Sequence, residues 1–364
     1  MTKRIVIAGG GTGGHLFPAL AVADELKRRL PEARISFVGG RRGIETRLVP
    51  AAGYPLRTLP VSGMKGASPW AKAVAAGAAA WATARCAAWM LRERPDLVIG
   101  VGGYASGPAV LAALGLRIRT LVAEQNHFPG ATNRWLAPRV DAVCVPSEAA
   151  RERLGGRGVV TGNPVRAAFA RIGPPPCEPT LSLLIFGGSR GARSINRAAA
   201  DALPRLARIE PPPRIVHQTG ADEEAAVAES YGRYPGRHEV RAFLDDMPKR
   251  LADADLAVCR AGATTLAELA AAGRPAVLVP YPFAADDHQR LNAEAVRDAG
   301  AAVVVVDREL TGERLAAEVA SLARDPERRR RMGEAARSLA RPDAAASIAD
   351  VAESLLAGAP REEV

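Results

Sequence analysis

The fold of the chain is decided by its opening stretch, Arg4-Ile-Val-Ile-Ala-Gly-Gly-Gly-Thr-Gly-Gly-His15. A β-branched run that ends in a glycine cluster and continues into an apolar helical pattern predicts a strand, a tight turn and a helix. The same order returns at Leu183–Gly191, where the apolar run ends in Gly-Gly-Ser-Arg-Gly. Two halves that begin alike predict an α/β fold with two Rossmann-like domains in tandem, facing a deep cleft.

Short β-branched runs alternate with helical patterns along both halves, which is typical of parallel sheets covered by helices. The proline-rich stretch Gly173–Pro179 separates the halves, because it cannot continue a helix or a central strand. We therefore expect one domain at 1–166 and a second at 167–341. The predicted strands are Arg4–Ala8, Ile35–Val38, Leu97–Val101, Thr120–Ala123, Ala142–Val145, Val159–Thr161, Ser182–Phe186, Ile215–His217, Glu239–Phe243, Leu256–Cys259, Ala276–Val279 and Ala302–Val306.

Composition and charge narrow the class of protein. With 48% hydrophobic and 24% charged residues, the chain matches a folded globular protein and not a disordered one. Residues 1–166 carry 23 basic against 10 acidic residues, whereas the remainder carries 26 against 29. A basic half beside a nearly neutral one predicts an anionic partner on one side only: nucleic acid, a phosphorylated substrate or an anionic membrane.

Cysteine usage and the amino terminus predict a cytoplasmic protein. The 4 cysteines show no Cys-x-x-Cys spacing, so neither a disulfide scaffold nor a thiolate metal site is expected. The apolar run after Arg4 is too short for a secretory signal. The uncharged window Leu97–Leu116 has membrane-spanning length, but its cluster of glycines and a proline favours a strand, a turn and a helix.

Four glycine-bearing turns follow predicted strands. In open α/β sheets, ligands bind at the carboxyl ends of strands, where glycine lets backbone N–H groups approach an anion and a helix N-terminus adds partial positive charge. A single turn of this kind can carry glycine for its backbone conformation alone, but four such turns in one chain favour a ligand-binding site. In the last, two threonines suit an N-cap and Glu268 falls near the N3 position of a capping box. The turns are Gly9–His15, Gly102–Pro108, Gly187–Ala192 and Ala261–Glu268.

The first turn satisfies the dinucleotide pattern G-x-G-x-x-G with Gly9, Gly11 and Gly14. NAD binding also needs an acid at the end of the second strand. That strand ends Val38-Gly-Gly-Arg-Arg42, which disfavours NAD, although either arginine suits a 2′-phosphate. A Walker lysine is absent from all four turns, which excludes a P-loop NTPase.

Nine motifs in order along the chain resemble the MurG family, bacterial transferases of the GT-B type that add N-acetylglucosamine to lipid I in peptidoglycan synthesis. The resemblance implies UDP-N-acetylglucosamine (UDP-GlcNAc) held mainly by the C-terminal domain. It also implies an N-terminal domain that binds acceptor and membrane, with the final helix, within 342–364, packed back on it. The motifs are Gly-Gly-Gly-Thr-Gly-Gly-His at 9–15, Gly-Gly-Tyr-Ala-Ser-Gly-Pro at 102–108, Glu124-Gln125-Asn126, Gly162-Asn-Pro-Val-Arg166, Gly-Gly-Ser-Arg-Gly-Ala at 187–192, His217-Gln-Thr-Gly220, Phe243-Leu-Asp-Asp-Met247, Ala261-Gly-Ala-Thr-Thr265 and Asp287-His-Gln-Arg-Leu-Asn292.

The resemblance also implies a set of donor-binding residues. Glu268 matches the ribose-binding acid of the family and Gln289 matches a contact to the sugar hydroxyls. Two positions depart from the usual pattern: Thr264, where leucine is common, and His127, where a small or apolar residue is common. The implied donor contacts are Thr12, Gly13, Gly14, Asn126, Arg166, Ser189, Leu244, Ala263, Thr264, Thr265, Leu266, Ala267, Glu268 and Gln289.

The implied reaction needs a base, a site for the departing diphosphate and a site for the acceptor diphosphate. His15 is the candidate base, because the pKa of a histidine lies near neutrality. Glu124 acting through a water molecule is the alternative. In a third interpretation, His15 only orients the start of its helix. The third and fourth turns, with Arg166, suit the leaving diphosphate. The acceptor diphosphate would lie at the first two turns, the second of which offers Gly102, Gly103, Tyr104, Ser106 and Gly107.

We expect no cofactor and a metal-independent reaction. The one Asp-x-Asp sequence, Asp253-Ala-Asp255, lies where a predicted helix gives way to a predicted strand. Aspartates in that position are more readily explained as caps than as metal ligands.

A tryptophan-rich stretch predicts a membrane-facing surface. Trp70, Trp81 and Trp89 fall in one helical stretch with basic residues, and Arg85 shares a helix face with Trp81 and Trp89. Tryptophan beside arginine suits an anionic lipid interface, although an ordinary core helix is the alternative. We expect a peripheral protein on the cytoplasmic face of the inner membrane, with other cell-wall and division proteins as further candidate partners.

One alternative enzyme stays open, and a non-enzymatic function is disfavoured. A UDP-GlcNAc 2-epimerase has a related two-domain architecture and uses the same sugar nucleotide. A nucleic-acid-binding protein would explain the basic half, but the sequence offers neither a recognition helix nor an RNP-like aromatic strand, and aromatics are only 4%. We therefore expect no nucleic-acid partner.

Overall fold

The computed structural model describes residues 2–41, 43–60, 69–174, 178–284 and 287–358. The chain divides into an N-terminal unit, Met1–Arg166 with Arg341–Val364, and a C-terminal unit, Ala167–Ala340.

Within the described residues of the N-terminal unit, seven parallel strands form one sheet in the order β3-β2-β1-β4-β5-β6-β7. The central strands are apolar on both faces because helices cover both sides of the sheet. The strands are β1 Arg4–Ala8, β2 Arg34–Gly40, β3 Leu56–Leu59, β4 Leu97–Gly100, β5 Arg119–Ala123, β6 Ala142–Val145 and β7 Val159–Val160; the helices are α1 Gly13–Arg29, α2 Glu45–Ala51, α3 Pro69–Glu93, α4 Ser106–Gly115, α5 Ala131–Leu136 and α6 Glu148–Arg153.

The last helix of the chain returns to the N-terminal unit. This helix, α15 (Ala344–Ala357), buries Ile348 and Leu355 in the same core cluster as Leu16 of α1 and Ile5 of β1. Burial of two such side chains stabilises the unit by about 3 kcal/mol or more.

In the described part of the C-terminal unit, six parallel strands form a second sheet in the order β10-β9-β8-β11-β12-β13. Its elements are α7 Ala167–Ala170, β8 Ser182–Phe186, α8 Arg193–Leu206, β9 Arg214–Gln218, α9 Glu224–Ser230, β10 His238–Arg241, α10 Met247–Asp253, β11 Leu256–Cys259, α11 Ala263–Ala272, β12 Ala276–Leu278, α12 His288–Asp298, β13 Ala302–Val304, α13 Gly312–Ala323 and α14 Pro326–Ser338.

A buried arginine fastens the helices of the C-terminal unit. Arg274 is 1% exposed and donates to the carbonyls of Leu251, Ala252, Ala272 and Gly173. It thereby donates to carbonyl groups at the ends of α10 and α11, two of which also accept a second hydrogen bond: Leu251 from the N–H of Ala254 and Ala272 from Arg337.

The α/β prediction with two Rossmann-like domains is confirmed. All twelve predicted strands are present, four with the predicted bounds and the others with shifts of one or two residues at their ends. The strand β3 was not predicted. The uncharged window at 97–116 resolves into β4, a glycine turn and α4. None of the helices in the described ranges combines the length and apolar character that crossing a bilayer requires.

Candidate active site

The strand-end loops of the N-terminal unit lie against one another. A Cβ on Gly103, in the loop after β4, would collide with the carbonyl of Gly10, in the loop after β1. Gly102 has a φ of +87°, and a Cβ there would lie 2.8 Å from Nδ1 of His15. Glycine is therefore required where these two loops and the imidazole meet.

His15 is half-buried at the third position of α1. Its Nδ1 lies 2.9 Å from Oε1 of Gln125, which belongs to the loop after β5. The loops after β1, β4 and β5 thus converge on this imidazole, the residue expected to act as the base. The contact with Gln125 joins residues 110 positions apart in the sequence.

Glu124 already uses both carboxylate oxygens. Oε1 accepts from the backbone N–H groups of Gln125 and Asn126 and from Nδ2 of Asn126. Oε2 accepts from the N–H of Gly130 and from Nδ2 of Asn133. A carboxylate that accepts five hydrogen bonds organises its own loop.

Glu45 was not singled out from the sequence. It is 1% exposed at the start of α2, and its carboxylate accepts the N–H groups of Gly11 and Gly40 at 2.8 and 2.7 Å. The end of the second strand itself carries no acid, as expected, and Glu45, at the start of the next helix, binds the glycine loop of the protein. Arg42 lies outside the described residues.

The second loop presents less to a ligand than its motif suggests. Tyr104 is 53% exposed, and Gly103 is half-buried. Gly102, Ser106 and Gly107 are buried, and the Ser106 hydroxyl lies against β4, 2.7 Å from where a Cβ of Gly100 would stand. The Ser106 side chain is thus buried and that of Tyr104 exposed, and the acceptor-binding role of this loop stays a prediction.

The N-terminal unit also contains five of the expected donor contacts. Thr12 and Gly14 are exposed and Gly13 is half-buried at the start of α1. Arg166 lies over the ring of Phe17 of the same helix, 4.5 Å from its centroid. Asn126 is half-buried and held by Glu124.

In the C-terminal unit, Gln218 joins two of the expected donor segments. Its Nε2 donates to the carbonyl of Gly188 at 2.8 Å, and its Oε1 accepts the N–H of Leu244 at 2.9 Å. Ser189, the residue after Gly188, is half-buried. From the sequence, Gln218 was known only as part of a motif, because its bracing role depends on a contact between three loops.

Next to Gln218 in the sequence, His217 belongs to a buried polar network that holds α8 against β9. His217 lies with Nε2 3.1 Å from Oδ1 of Asn196 and Nδ1 3.1 Å from the hydroxyl of Tyr231. Asn196 donates to the carbonyl of Thr219 and to Glu223, so its Oδ1 faces a His217 N–H. Burial lowers the pKa of His217 to about 4, which keeps the ring neutral.

The fourth loop is not a capping box. Its helix α11 begins at Ala263 and its N-cap is Gly262, so Glu268 is the sixth helical residue and not N3. The expected role of the threonines as the N-cap is also wrong, because Thr264 and Thr265 lie inside the first turn. Thr264 and Glu268 are buried, while Ala263, Thr265 and Leu266 are half-buried beside them.

Gln289 lies near the start of α12. Its Oε1 accepts the backbone N–H of Tyr281 at 3.0 Å, which ties α12 to the loop after β12. Because the oxygen is used in this way, the Nε2 amide is the end suited to a sugar hydroxyl.

The Asp-x-Asp sequence lies where it was expected. Asp253 ends α10 and β11 begins one residue after Asp255. Asp255 accepts the N–H of Ser182 at 2.7 Å, so its carboxylate fastens strand ends together. Within the described ranges, no group of three His, Cys, Asp or Glu side chains converges in a way that would hold a metal ion.

The tryptophans of α3 differ in their surroundings. Trp81 is 47% exposed, with the guanidinium of Arg85 4.9 Å from its ring centroid. Trp89 is half-buried, packs against the core and lies under Arg57, so the core-helix interpretation applies to it. The side chain of Trp70 lies outside the described residues.

The fourth tryptophan supplies a second exposed pair that sequence reasoning missed. Trp135 of α5 is 49% exposed, and the guanidinium of Arg139 lies 4.1 Å from its ring centroid. The four-residue spacing that places them together is visible in the sequence.

Comparison with known families covers both units. The chain matches the model for the glycosyltransferase family 28 N-terminal domain over residues 5–145 and the model for the glycosyltransferase family 28 C-terminal domain over residues 182–351.

Curated relatives carry one name, UDP-N-acetylglucosamine–N-acetylmuramyl-(pentapeptide) pyrophosphoryl-undecaprenol N-acetylglucosamine transferase. The relative from Citrifermentans bemidjiense is 45% identical over 95% of this chain and 98% of its own length. That from Anaeromyxobacter sp. (strain Fw109-5) is 46% identical over 97% of this chain and 93% of its own length.

Solved structures of other proteins are similar to this chain in their fold. Acinetobacter baumannii MurG is 32% identical with a TM-score of 0.76, over 97% of this chain and 99% of that one. A putative UDP-N-acetylglucosamine 2-epimerase from Listeria monocytogenes has a TM-score of 0.71 over 99% of this chain and 98% of that one, but only 17% identity. The latter likeness shows the fold alone.

Proposed function

The chain belongs to glycosyltransferase family 28 as one of its N-acetylglucosamine transferases, and from that premise we propose how its residues carry out the transfer. It moves N-acetylglucosamine from UDP-GlcNAc to the 4-hydroxyl of the N-acetylmuramoyl-pentapeptide of lipid I, with inversion, giving lipid II for peptidoglycan synthesis. The observation that carries this function is identity of about 45% to the named transferases over nearly the whole chain.

His15 acts as the general base. It removes the proton of the acceptor hydroxyl as that oxygen attacks the anomeric carbon, and UDP departs with the electron pair of the broken bond. The convergence of three loops on its ring supports this role, because a base must be held in line with the reacting atoms. Gly103 and Tyr104, with the first glycine loop, bind the acceptor diphosphate.

The donor is held mainly by the C-terminal unit. The loop at Ser189 and the start of α11 point backbone N–H groups and partial positive charge at the diphosphate, so the leaving group is stabilised without a metal ion. Glu268 binds ribose, Leu244 lies against uridine and Gln289 reaches a sugar hydroxyl. Thr12, Gly13, Gly14, Asn126 and Arg166 are the donor contacts of the N-terminal unit.

Exposed basic and aromatic residues of the N-terminal unit bind the anionic cytoplasmic face of the inner membrane. The exposed Trp81–Arg85 and Trp135–Arg139 pairs support this proposal, since tryptophan and arginine together favour a lipid interface. Such a surface would bring the enzyme to its lipid-linked acceptor, and other cell-wall and division proteins are proposed partners there.

The 2-epimerase alternative is less supported. The epimerase likeness rests on a fold shared at 17% identity, whereas the transferase relatives share about 45%.

The experiment measures UDP release from UDP-GlcNAc, with and without a short-chain lipid I analogue, in excess EDTA. We expect UDP release that depends on the acceptor, together with a lipid-linked disaccharide. Conversion of the donor to its C2 epimer without acceptor would contradict the transferase function. If EDTA abolished the release of UDP and Mg²⁺ restored it, the metal independence of the reaction would be contradicted but the transferase function would not.

A further inference from the structure

Gln125 bridges the backbone of its own loop and the ring of His15. It is 2% exposed, its Nε2 lies 2.8 Å from the carbonyl of Ala123, and its Oε1 lies 2.9 Å from His15 Nδ1. Its side chain is therefore held at both ends within the core of the N-terminal unit.

The chemistry of these contacts fixes the direction of each hydrogen bond. A backbone carbonyl only accepts, so the amide group facing Ala123 must be the NH₂ and the atom facing His15 must be the oxygen. An amide oxygen also only accepts. Nδ1 of His15 must therefore carry the hydrogen, and in the neutral ring the lone pair lies on Nε2.

We propose that Gln125 is a positioning residue that holds His15 in its Nδ1–H tautomer, so that Nε2 takes the proton of the acceptor hydroxyl; this rests on His15 being the base. In the step, the hydroxyl O–H bond breaks and its proton moves to Nε2, while the oxygen bonds to the anomeric carbon and UDP leaves. The Nδ1–H bond to Gln125 is kept in the resulting imidazolium.

Two neighbours assist this arrangement. Gly102 leaves room for the ring, because a Cβ there would lie 2.8 Å from Nδ1 and 3.5 Å from Oε1 of Gln125. Glu124, the residue beside Gln125, directs both oxygens to its own loop. A neutral amide therefore faces Nδ1, and the proton on Nδ1 is not drawn toward a carboxylate.

The first test reads the tautomer by ¹⁵N NMR of the histidine-labelled full chain, with the His15 signals assigned by their loss in His15→Ala. We expect a protonated Nδ1 and an unprotonated Nε2 in the wild type. Gln125→Met removes the acceptor and should transfer hydrogen to Nε2, while Gln125→Glu keeps an acceptor and should keep Nδ1–H. Gln218→Met, which removes an equally buried glutamine of the C-terminal unit, should leave the His15 signals unchanged. A wild-type Nε2–H tautomer would overturn the proposal.

The second test is kinetic. Gln125→Met should lower kcat by about 10- to 100-fold, less than the ~10⁴-fold cost of a forced wrong tautomer in a serine protease, with the Kd for UDP-GlcNAc unchanged. In a His15→Ala background, Gln125→Met should cause no further decrease in kcat, because the two residues act as one unit.

The outcomes separate the two proposals. If His15→Ala is nearly as active as the wild type, the base assignment fails and this inference fails with it. If His15→Ala is impaired but Gln125→Met keeps full activity, or lowers kcat equally in both backgrounds, only the positioning role of Gln125 is overturned.

Discussion

Glu45 Oε2 accepts the backbone N–H of Gly11 at 2.8 Å, so the first glycine loop is braced from within the protein by a carboxylate. Its other oxygen accepts the N–H of Gly40. A Cβ on Gly10 or Gly39 would lie 2.6 or 2.7 Å from Glu45 atoms. Several glycines of this region thus make room for Glu45, and the N–H of Gly11 is directed at this carboxylate.

Glu45→Gln should destabilise the N-terminal unit and weaken acceptor use. In the variant, the NH₂ group of the glutamine would replace one carboxylate oxygen and would face the N–H of Gly11 or Gly40, so that two donors meet. Loss of a hydrogen bond to a charged group costs about 1.5–3 kcal/mol. We expect a lower melting temperature and a raised KM for the lipid I analogue. Glu148→Gln, on the exposed face of α6, is the control. Equal effects of the two substitutions would contradict the bracing role of Glu45.

The C-terminal unit should lose stability in mild acid because of His217. Its folded pKa, about 4, lies below the ordinary value of 6.5, so the unfolded chain binds a proton that the folded chain refuses. Stability is fully present above pH 6.5 and falls as the pH drops toward 4, by about 2 kcal/mol between pH 6.5 and 5. Melting curves at several pH values should show a smaller loss in His217→Gln. An equal pH dependence in the variant and the wild type would refute this explanation.

Arg274→Met should destabilise the C-terminal unit by about 2 kcal/mol or more. The buried guanidinium donates to four carbonyl groups. Those of Leu251 and Ala272 would keep a second donor, so the loss falls on Ala252 and Gly173, at about 1–3 kcal/mol for each buried carbonyl left without a donor. Arg274→Lys should rescue little, because one ammonium cannot reproduce the planar set of donors. Urea unfolding measures the change, with Arg308→Met as control, since the Arg308 side chain is 82% exposed. A loss below 1 kcal/mol would contradict the expectation.

Replacing Trp81 and Arg85 together by alanine should weaken binding to vesicles that contain anionic phosphatidylglycerol. The arginine alone is expected to account for about 1 kcal/mol, or roughly fivefold, and the exposed indole adds to this. Vesicle sedimentation measures the change. Arg308→Ala, in the C-terminal unit, controls for the loss of one positive charge. Unchanged binding by the double variant would refute the lipid role of this surface.

The alternation of apolar strands and helices predicted both sheets, because buried parallel strands must be apolar on both faces. The strand β3 escaped prediction, since Leu-Arg-Thr-Leu is short and carries a charge at the edge of its sheet. The capping box failed because α11 begins at Ala263, ahead of both threonines.

The glycine motifs marked the loops, but not what holds them in place. Glu45 contacts a loop 34 residues away, and Gln125 contacts an imidazole 110 residues away. Neither partner can be found from local spacing, because each pairing depends on the order of strands in the sheet. The exposed Trp135–Arg139 pair, in contrast, has helical spacing and was open to prediction.

The role of His15 is tested most directly by single-turnover transfer from UDP-GlcNAc to a short-chain lipid I analogue, with donor and acceptor both saturating. His15→Ala should lower the rate of the chemical step by about 10²–10⁴-fold while its Kd for UDP-GlcNAc stays within a factor of two of the wild-type value. A His15→Ala rate within about threefold of the wild type would contradict the assignment of His15 as the base.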